Sequence, residues 1–187
     1  MPLISYLLKQ PPYKNAVVFC SRKQTVKELT RNLKRSGFTV EEIHSDLEQS
    51  VRENTLSAFA SGRVPLLVAT DIISRGIDID TIDLVVNWDV PDDGEDYVHR
   101  IGRTARAEAD GTAYTLVSEV DQRKFGAIEA LLEKEVEKAT VPAELGPTPA
   151  YEPNKRIAGG GRPKRGGPSR GGRPHGGHGY RGTSNRR

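Results

Sequence analysis

Two short stretches of this 187-residue chain gather residue types that can handle a polyphosphate, one rich in arginines and one joining a cation, a small residue and a carboxylate. In Tyr97-Val98-His99-Arg100-Ile101-Gly102-Arg103-Thr104-Ala105-Arg106, three arginines recur every three residues. Residues i and i+3 share one side of a helix or helical turn, so Arg103 and Arg106 are expected to converge on a single phosphate chain. Guanidinium groups stay charged and grip phosphate oxygens as a fork, and one placed at a transferring γ-phosphate accelerates the reaction about 10³- to 10⁵-fold. A solvated basic face is the plain alternative, but such a face seldom alternates its cations with residues like Gly102 and Ala105. The second stretch is Ala69-Thr70-Asp71-Ile72-Ile73-Ser74-Arg75-Gly76-Ile77-Asp78. Gly76 permits close backbone approach, Thr70 and Arg75 can meet phosphate oxygens, and Asp78 can accept from a sugar hydroxyl. The alternative is structural, with Asp71 capping the following turn and Arg75 paired with a nearby acid.

The elements that must hold these stretches follow from the spacing of apolar residues. Ala16-Val17-Val18-Phe19-Cys20 and Leu66-Leu67-Val68-Ala69 are unbroken apolar runs of strand length, as is Leu84 to Trp88 apart from Asn87. Such runs are expected where both faces of a sheet are covered. Thr39 to His44 and Ala113 to Val117 complete five expected strands. Val26, Leu29 and Leu33 recur at helical spacing and stop at Gly37, while Val51, Leu56 and Phe59 mark a second helix ending near Gly62. Phe125, Ile128, Leu132 and Val136 give a last helix one inner face, with Glu133, Lys134, Glu135, Glu137 and Lys138 on a solvated face. Helices between successive buried strands imply an α/β fold with a parallel sheet, whose ligands gather at the C-terminal ends of the strands. Both chemical stretches fall beyond such ends.

Charge divides the chain. From Pro153 to Arg187 there are ten Lys or Arg and no acid, with 11 of the 19 glycines. Residues 1–152 therefore hold 18 basic and 25 acidic residues, a net charge of −7 beside a segment of +10. The glycine-rich segment has too little apolar surface to offset the entropy of ordering, so a folded domain over 1–140 and a flexible, disordered Gly/Arg-rich tail over 141–187 are expected. No apolar stretch is long enough for a membrane span, and the N-terminus lacks the pattern of an export signal. The single Cys20 suits a reducing compartment and, inside a strand, reads as core rather than nucleophile; a cytoplasmic protein is expected. His44, His99, His175 and His178 do not have metal-ligand spacing, and no metal site is expected.

Taken in order, the segments resemble the C-terminal RecA-like domain of a DEAD-box RNA helicase over about residues 1–140. Val17-Val18-Phe19-Cys20 resembles motif IV, and His44 through Arg52, with Gln49, resembles the IHGxxxQxxR segment. Ala69-Thr70-Asp71 with Arg75-Gly76-Ile77-Asp78 is similar to motif V, Asn87-Trp88-Asp89-Val90-Pro91 to the NxDxP stretch, and His99 to Arg106 to motif VI. His99 at the head of motif VI favours the DEAD-box group over the DEAH type. The Thr-Ala-Arg-Ala run and the tail are similar to bacterial RhlE-type members.

The resemblance implies an ATP-dependent helicase half. Arg103 and Arg106 would reach the γ-phosphate of ATP held by a partner lobe, Asp78 and Gly76 would lie at the nucleotide, and His99 and Arg100 would link motif VI to that lobe. Thr70, Arg75, Gly76, Arg52, Ser45 and Arg22 would hold the RNA backbone. Ser45 departs from the family's glycine, where a left-handed backbone would be less comfortable, and Ser21-Arg22 replaces the usual pair after motif IV. The sequence contains no GxxxxGK[ST] loop, Asp-Glu-Ala-Asp or Ser-Ala-Thr. ATP and Mg2+ are therefore expected to be held mainly by an N-terminal RecA-like lobe, and this chain alone is expected to be inactive. A non-catalytic RNA-binding or adaptor module and a DNA-helicase lobe are the competing readings.

Overall fold

The computed structural model describes residues 2–10, 13–73, 82–104 and 111–155. The chain divides into a body, Met1–Arg156, and a C-terminal unit, Ile157–Arg187, which lies outside the described residues.

The expected strands form as β1 (Ala16–Phe19), β2 (Val40–Ile43), β3 (Leu66–Ala69), β4 (Leu84–Asn87) and β5 (Thr112–Thr115). They make one sheet in the order β2-β3-β1-β4-β5, and every neighbouring pair is parallel. Successive side chains alternate between the faces, and both faces are covered, which is why the central runs are apolar throughout. On one face Val18, Cys20, Val68 and Val86 pack with Val26, Leu29 and Leu33 of α2 (Lys23–Arg35) and with Ile4 of α1 (Pro2–Leu7). On the other, Val17, Phe19, Leu67, Ala69 and Val85 pack with Phe59 of α3 (Gln49–Ala60). Helix α2 ends as its sequence demands: Gly37 takes φ +87, the Phe38 amide donates to the Leu33 carbonyl, and the Gly37 amide to that of Lys34.

β1 starts at the centre of the sheet, the chain then builds β2 and β3 on one side, and β4 and β5 follow on the other. The direction of building therefore reverses between β1 and β4, and it is beyond the C-terminal strand ends at such a reversal that sheets of this kind bind ligands.

Helix α4 (Gly94–Ile101) ends at Ile101, and Arg103 lies on the turn that follows. The rest of the C-terminal part differs from expectation. Helix α5 (Gln122–Leu131) stops early, because Glu133 adopts φ 50 and turns the chain back. Val136 still packs on the cluster of Val90, Tyr97, Phe125 and Ile128 that joins α4 to α5. Lys138, expected on a solvated face, instead pairs with Glu129 at 2.5 Å. Nor does packing end at residue 140: Ala150, Tyr151 and Glu152 are bonded to α5, so the folded body runs to about residue 155.

Candidate functional site

The C-terminal edge of the sheet is knotted together by one arginine. Asp93 caps α4 by accepting from the Glu95 amide at 2.9 Å, and the first turn carries Glu95 and Asp96, so the helix begins where its dipole favours acids. Its last turn delivers Arg100 into the protein with no solvent exposure. Arg100 Nε and Nη2 donate to the two carboxylate oxygens of Asp71 at 2.6 and 2.8 Å, a fork on the short 3₁₀ turn Asp71–Ile73 that follows β3. Nη1 donates to the Asp89 carbonyl at 3.2 Å and lies 3.5 Å from its carboxylate, Nη2 donates to Ser21 Oγ at 3.4 Å, and the guanidinium carbon sits 5.6 Å from the centre of the Phe19 ring. Burial alone would favour loss of the charge, but the two aspartates outweigh it and the guanidinium is held above its ordinary value.

Asp89 completes the knot from the end of β4. Its carboxylate accepts from the Ser21 amide at 2.9 Å and from Ser21 Oγ at 2.5 Å, tying the end of β4 to the end of β1. Cys20, alongside, is fully buried; burial, then the nearby Asp89, pushes its thiol up, which removes it as a nucleophile.

Arg100 was expected to link motif VI to a partner lobe; inside this body its guanidinium donates to Asp71, Asp89 and Ser21. It positions its surroundings. His99, its neighbour, points the other way and is exposed. Arg103 follows one turn later and is half-buried, with its amide bonded to the Arg100 carbonyl and its own carbonyl accepting from Ile82. Thr104 is buried, and a side chain at Gly111 would lie 1.8 Å from its hydroxyl, so the roots of the 105–110 segment close tightly against each other. Arg75, Gly76, Asp78 and Arg106 lie outside the described residues.

Of the residues expected at RNA, Thr70, Arg52 and Ser45 fall on the β2–β3 side of the same edge. The Thr70 amide bonds to the Ile43 carbonyl, which sets the 3₁₀ turn beside β2. Arg52, half-buried on α3, shares a hollow with Ile43, Leu56, Ile72 and Ile73, and its Nε is buried without a hydrogen-bond partner. Ser45 is exposed; among described non-glycine residues only Glu133 has positive φ, so serine costs no left-handed backbone there. Arg22 is exposed at the start of α2. Next to it Lys23 and Lys27 clasp Asp46 at 2.6 and 2.9 Å, and those hydrogen bonds hold the Asp46 carboxyl down to about 2.

Sequence reasoning missed Asp71, Asp89 and Ser21 as a set, and Lys23 and Lys27. A carboxylate directly after a buried strand was the available signal, because it survives there only beside a cation. The described residues offer no group of three acids, histidines or cysteines suited to a metal, so no step is assigned to Mg2+ on this body. Arg103 fits an ATP phosphate in type, being a partly exposed cation one turn beyond Arg100.

A parallel sheet with an arginine turn beyond its central strands defines a RecA-like lobe. The chain belongs to the DEAD-box helicases through the family described as helicase conserved C-terminal domain, whose model matches residues 1–108. It is 42% identical over 136 residues to the ATP-dependent RNA helicase DBP8 of Lodderomyces elongisporus, covering 72% of this chain and 31% of that protein. The structure of the E. coli DEAD-box protein SrmB bound to regulator of ribonuclease activity A superposes with a TM-score of 0.72 at 38% identity, covering 81% of this chain and 88% of that one. A DEAD box protein from Methanococcus jannaschii gives 0.66 at 37% identity, over 71% and 36% of the two chains. The chain spans about a third of the length of the curated relatives it matches.

Proposed function

We propose that the chain is the C-terminal lobe of an ATP-dependent RNA helicase and acts with an N-terminal RecA-like lobe that binds ATP and Mg2+. Bound ATP supplies the phosphoanhydride whose γ-phosphoryl passes to water. Arg103 and Arg106 meet the charge developing on that group when the lobes close, Gly76 and Asp78 border the nucleotide, and His99, exposed beside Arg100, faces the other lobe. Thr70, Arg75, Gly76, Arg52, Ser45 and Arg22 hold the RNA backbone, which makes recognition largely independent of base sequence. The Gly/Arg-rich segment adds salt-sensitive affinity, and the setting is cytoplasmic.

The observation that supports this reading is the buried fork from Arg100 to Asp71, which ties the end of α4 to the 3₁₀ turn after β3, with Arg103 one turn beyond Arg100. The test is RNA-stimulated ATPase of the chain combined with its N-terminal lobe. Arg103→Ala is expected to lower kcat about 10³-fold or more with little change in KM for ATP. An ATPase that ignores the substitution would favour the adaptor reading, and equal stimulation by single-stranded DNA would favour a DNA helicase.

A further inference from the structure

The residues after α5 return to it and dock. Gln122, Phe125, Gly126 and Glu129 recur at i, i+3, i+4 and i+7 and so share one face of the helix. Gln122 is 7% exposed, and its carboxamide takes both hydrogen-bonding groups of the returning chain: Nε2 donates to the Ala150 carbonyl at 2.8 Å and Oε1 accepts from the Glu152 amide at 2.6 Å. A neighbouring strand would satisfy an extended peptide in the same two-point way. Between those bonds Tyr151 turns onto the helix, its ring edge-on to Phe125 at 6.2 Å and its hydroxyl donating to Glu129. Phe125 stands edge-on to Tyr97 of α4 in turn, at 5.8 Å. Lys138 closes the far side, with Nζ 4.4 Å from the Tyr151 ring centre and 2.5 Å from Glu129 Oε1. Pro153 lies so near Gly126 that a Cβ there would come within 2.7 Å of it. The backbone is thus gripped at two points, an aromatic side chain has its own seat, and a glycine makes room for a proline.

We propose that this face of α5 is a peptide-docking site, filled in cis by residues 150–153, that anchors the root of the Gly/Arg-rich segment and so concentrates its cations at RNA held by the body. The anchoring role rests on the reading above that this segment meets RNA; the docking does not. Local concentration of a flexible arm falls roughly as the −3/2 power of its length, so freeing residues 139–155 to join the segment 156–187, expected from its composition to be flexible, lowers it about twofold.

Gly126→Ala is the discriminating variant in the full chain. It favours the helix by propensity, so the body should keep its stability, while the added methyl displaces Pro153. Hydrogen exchange is expected to show the Glu152 amide protected in the wild type and exchanging faster in Gly126→Ala and Gln122→Ala, with sheet amides unchanged. Affinity for a 30-nucleotide single-stranded RNA at low salt should fall about twofold in both variants, and the difference should vanish when the chains are cut after Lys155. A Glu152 amide that exchanges at open-chain rates in the wild type would overturn the docking. Release of the strap with RNA affinity unchanged would overturn the anchoring, and a wild type that binds no RNA would overturn the RNA reading and the anchoring together while the exchange data still decided the docking.

Discussion

Arg100 shows how a side chain near reactive chemistry can serve by holding rather than touching. Its charge is fully buried, and every polar contact it makes joins one strand end to another: Asp71 after β3, Asp89 after β4, Ser21 after β1. Removing one partner of such a pair leaves charges without compensation and costs about 3–5 kcal/mol. Asp71 and Asp89 are each more than a quarter exposed, so water recovers part of that loss and Arg100→Ala should cost about 3 kcal/mol. Denaturant unfolding at pH 7 measures this as a lowered midpoint at constant slope. Arg100→Lys should recover only part of it, since an ammonium cannot fork onto Asp71. A midpoint unmoved by either substitution would mean that the knot does not hold the strand ends. Arg103, half-buried one turn later, should cost less than Arg100 when replaced by alanine, which separates a positioning arginine from one assigned to phosphate. The sequence marked both arginines but not the difference between them. Spacing reports which residues neighbour each other along a helix, whereas burial of Arg100 depends on carboxylates 11 and 29 residues away.

At the scale of elements, legibility followed periodicity. The central strands and α2 and α3 were readable because a buried sheet demands unbroken apolar runs and because Gly37 and Gly62 provide the positive φ that ends each helix. The end of α5 was not readable, because Leu132 and Val136 keep helical spacing while the chain between them turns at Glu133. The strap over 150–153 carries almost no periodic signal, and its partners lie on a helix some 20 to 30 residues earlier. Its polar centre is Glu129, which gathers Lys138, the Tyr151 hydroxyl and the Val136 amide. Burial opposes its charge, but those hydrogen bonds outweigh it and hold the carboxyl below the ordinary glutamate value. A lowered folded-state pKa contributes stability that is complete above the unfolded value, about 4.3, and is lost as pH falls through the lower folded one. Of the neighbouring groups, Tyr151 is pushed up by burial and then by Glu129 and so stays protonated through this window, and Glu135 lies 3.7 Å from Lys138. Protection of the Glu152 amide should therefore be constant from pH 7 to about pH 5 and decline below about pH 4. In Glu129→Gln it should be weaker at neutral pH and nearly flat with pH. Equal pH dependence in both proteins would assign the effect to other carboxylates.

Across the whole chain, the two charge populations pose a problem that a single binding surface does not solve. The body through residue 152 is net negative and by itself repels a polyanion at long range, while the cations of its β2–β3 edge include Lys23 and Lys27, already shared with Asp46. If the chain meets RNA as proposed, close-range grip on the backbone and long-range attraction come from different parts, the edge with Arg22 and Arg52 and the segment of +10. These parts differ in their response to salt. For a single strand, log affinity falls with log salt by about 0.7 for each phosphate neutralised, and if half of the segment's cations meet phosphate, cutting after Lys155 should make the slope shallower by about three. The cut should weaken binding strongly at low salt and little at high salt, by similar factors for RNAs of different sequence, because arginines on a glycine-rich chain read charge rather than bases. Anisotropy titrations at four or five salt concentrations measure both quantities. A slope unchanged by the cut would make the segment a linker and leave the −7 body to attract RNA through its edge alone, which long-range repulsion makes difficult at low ionic strength.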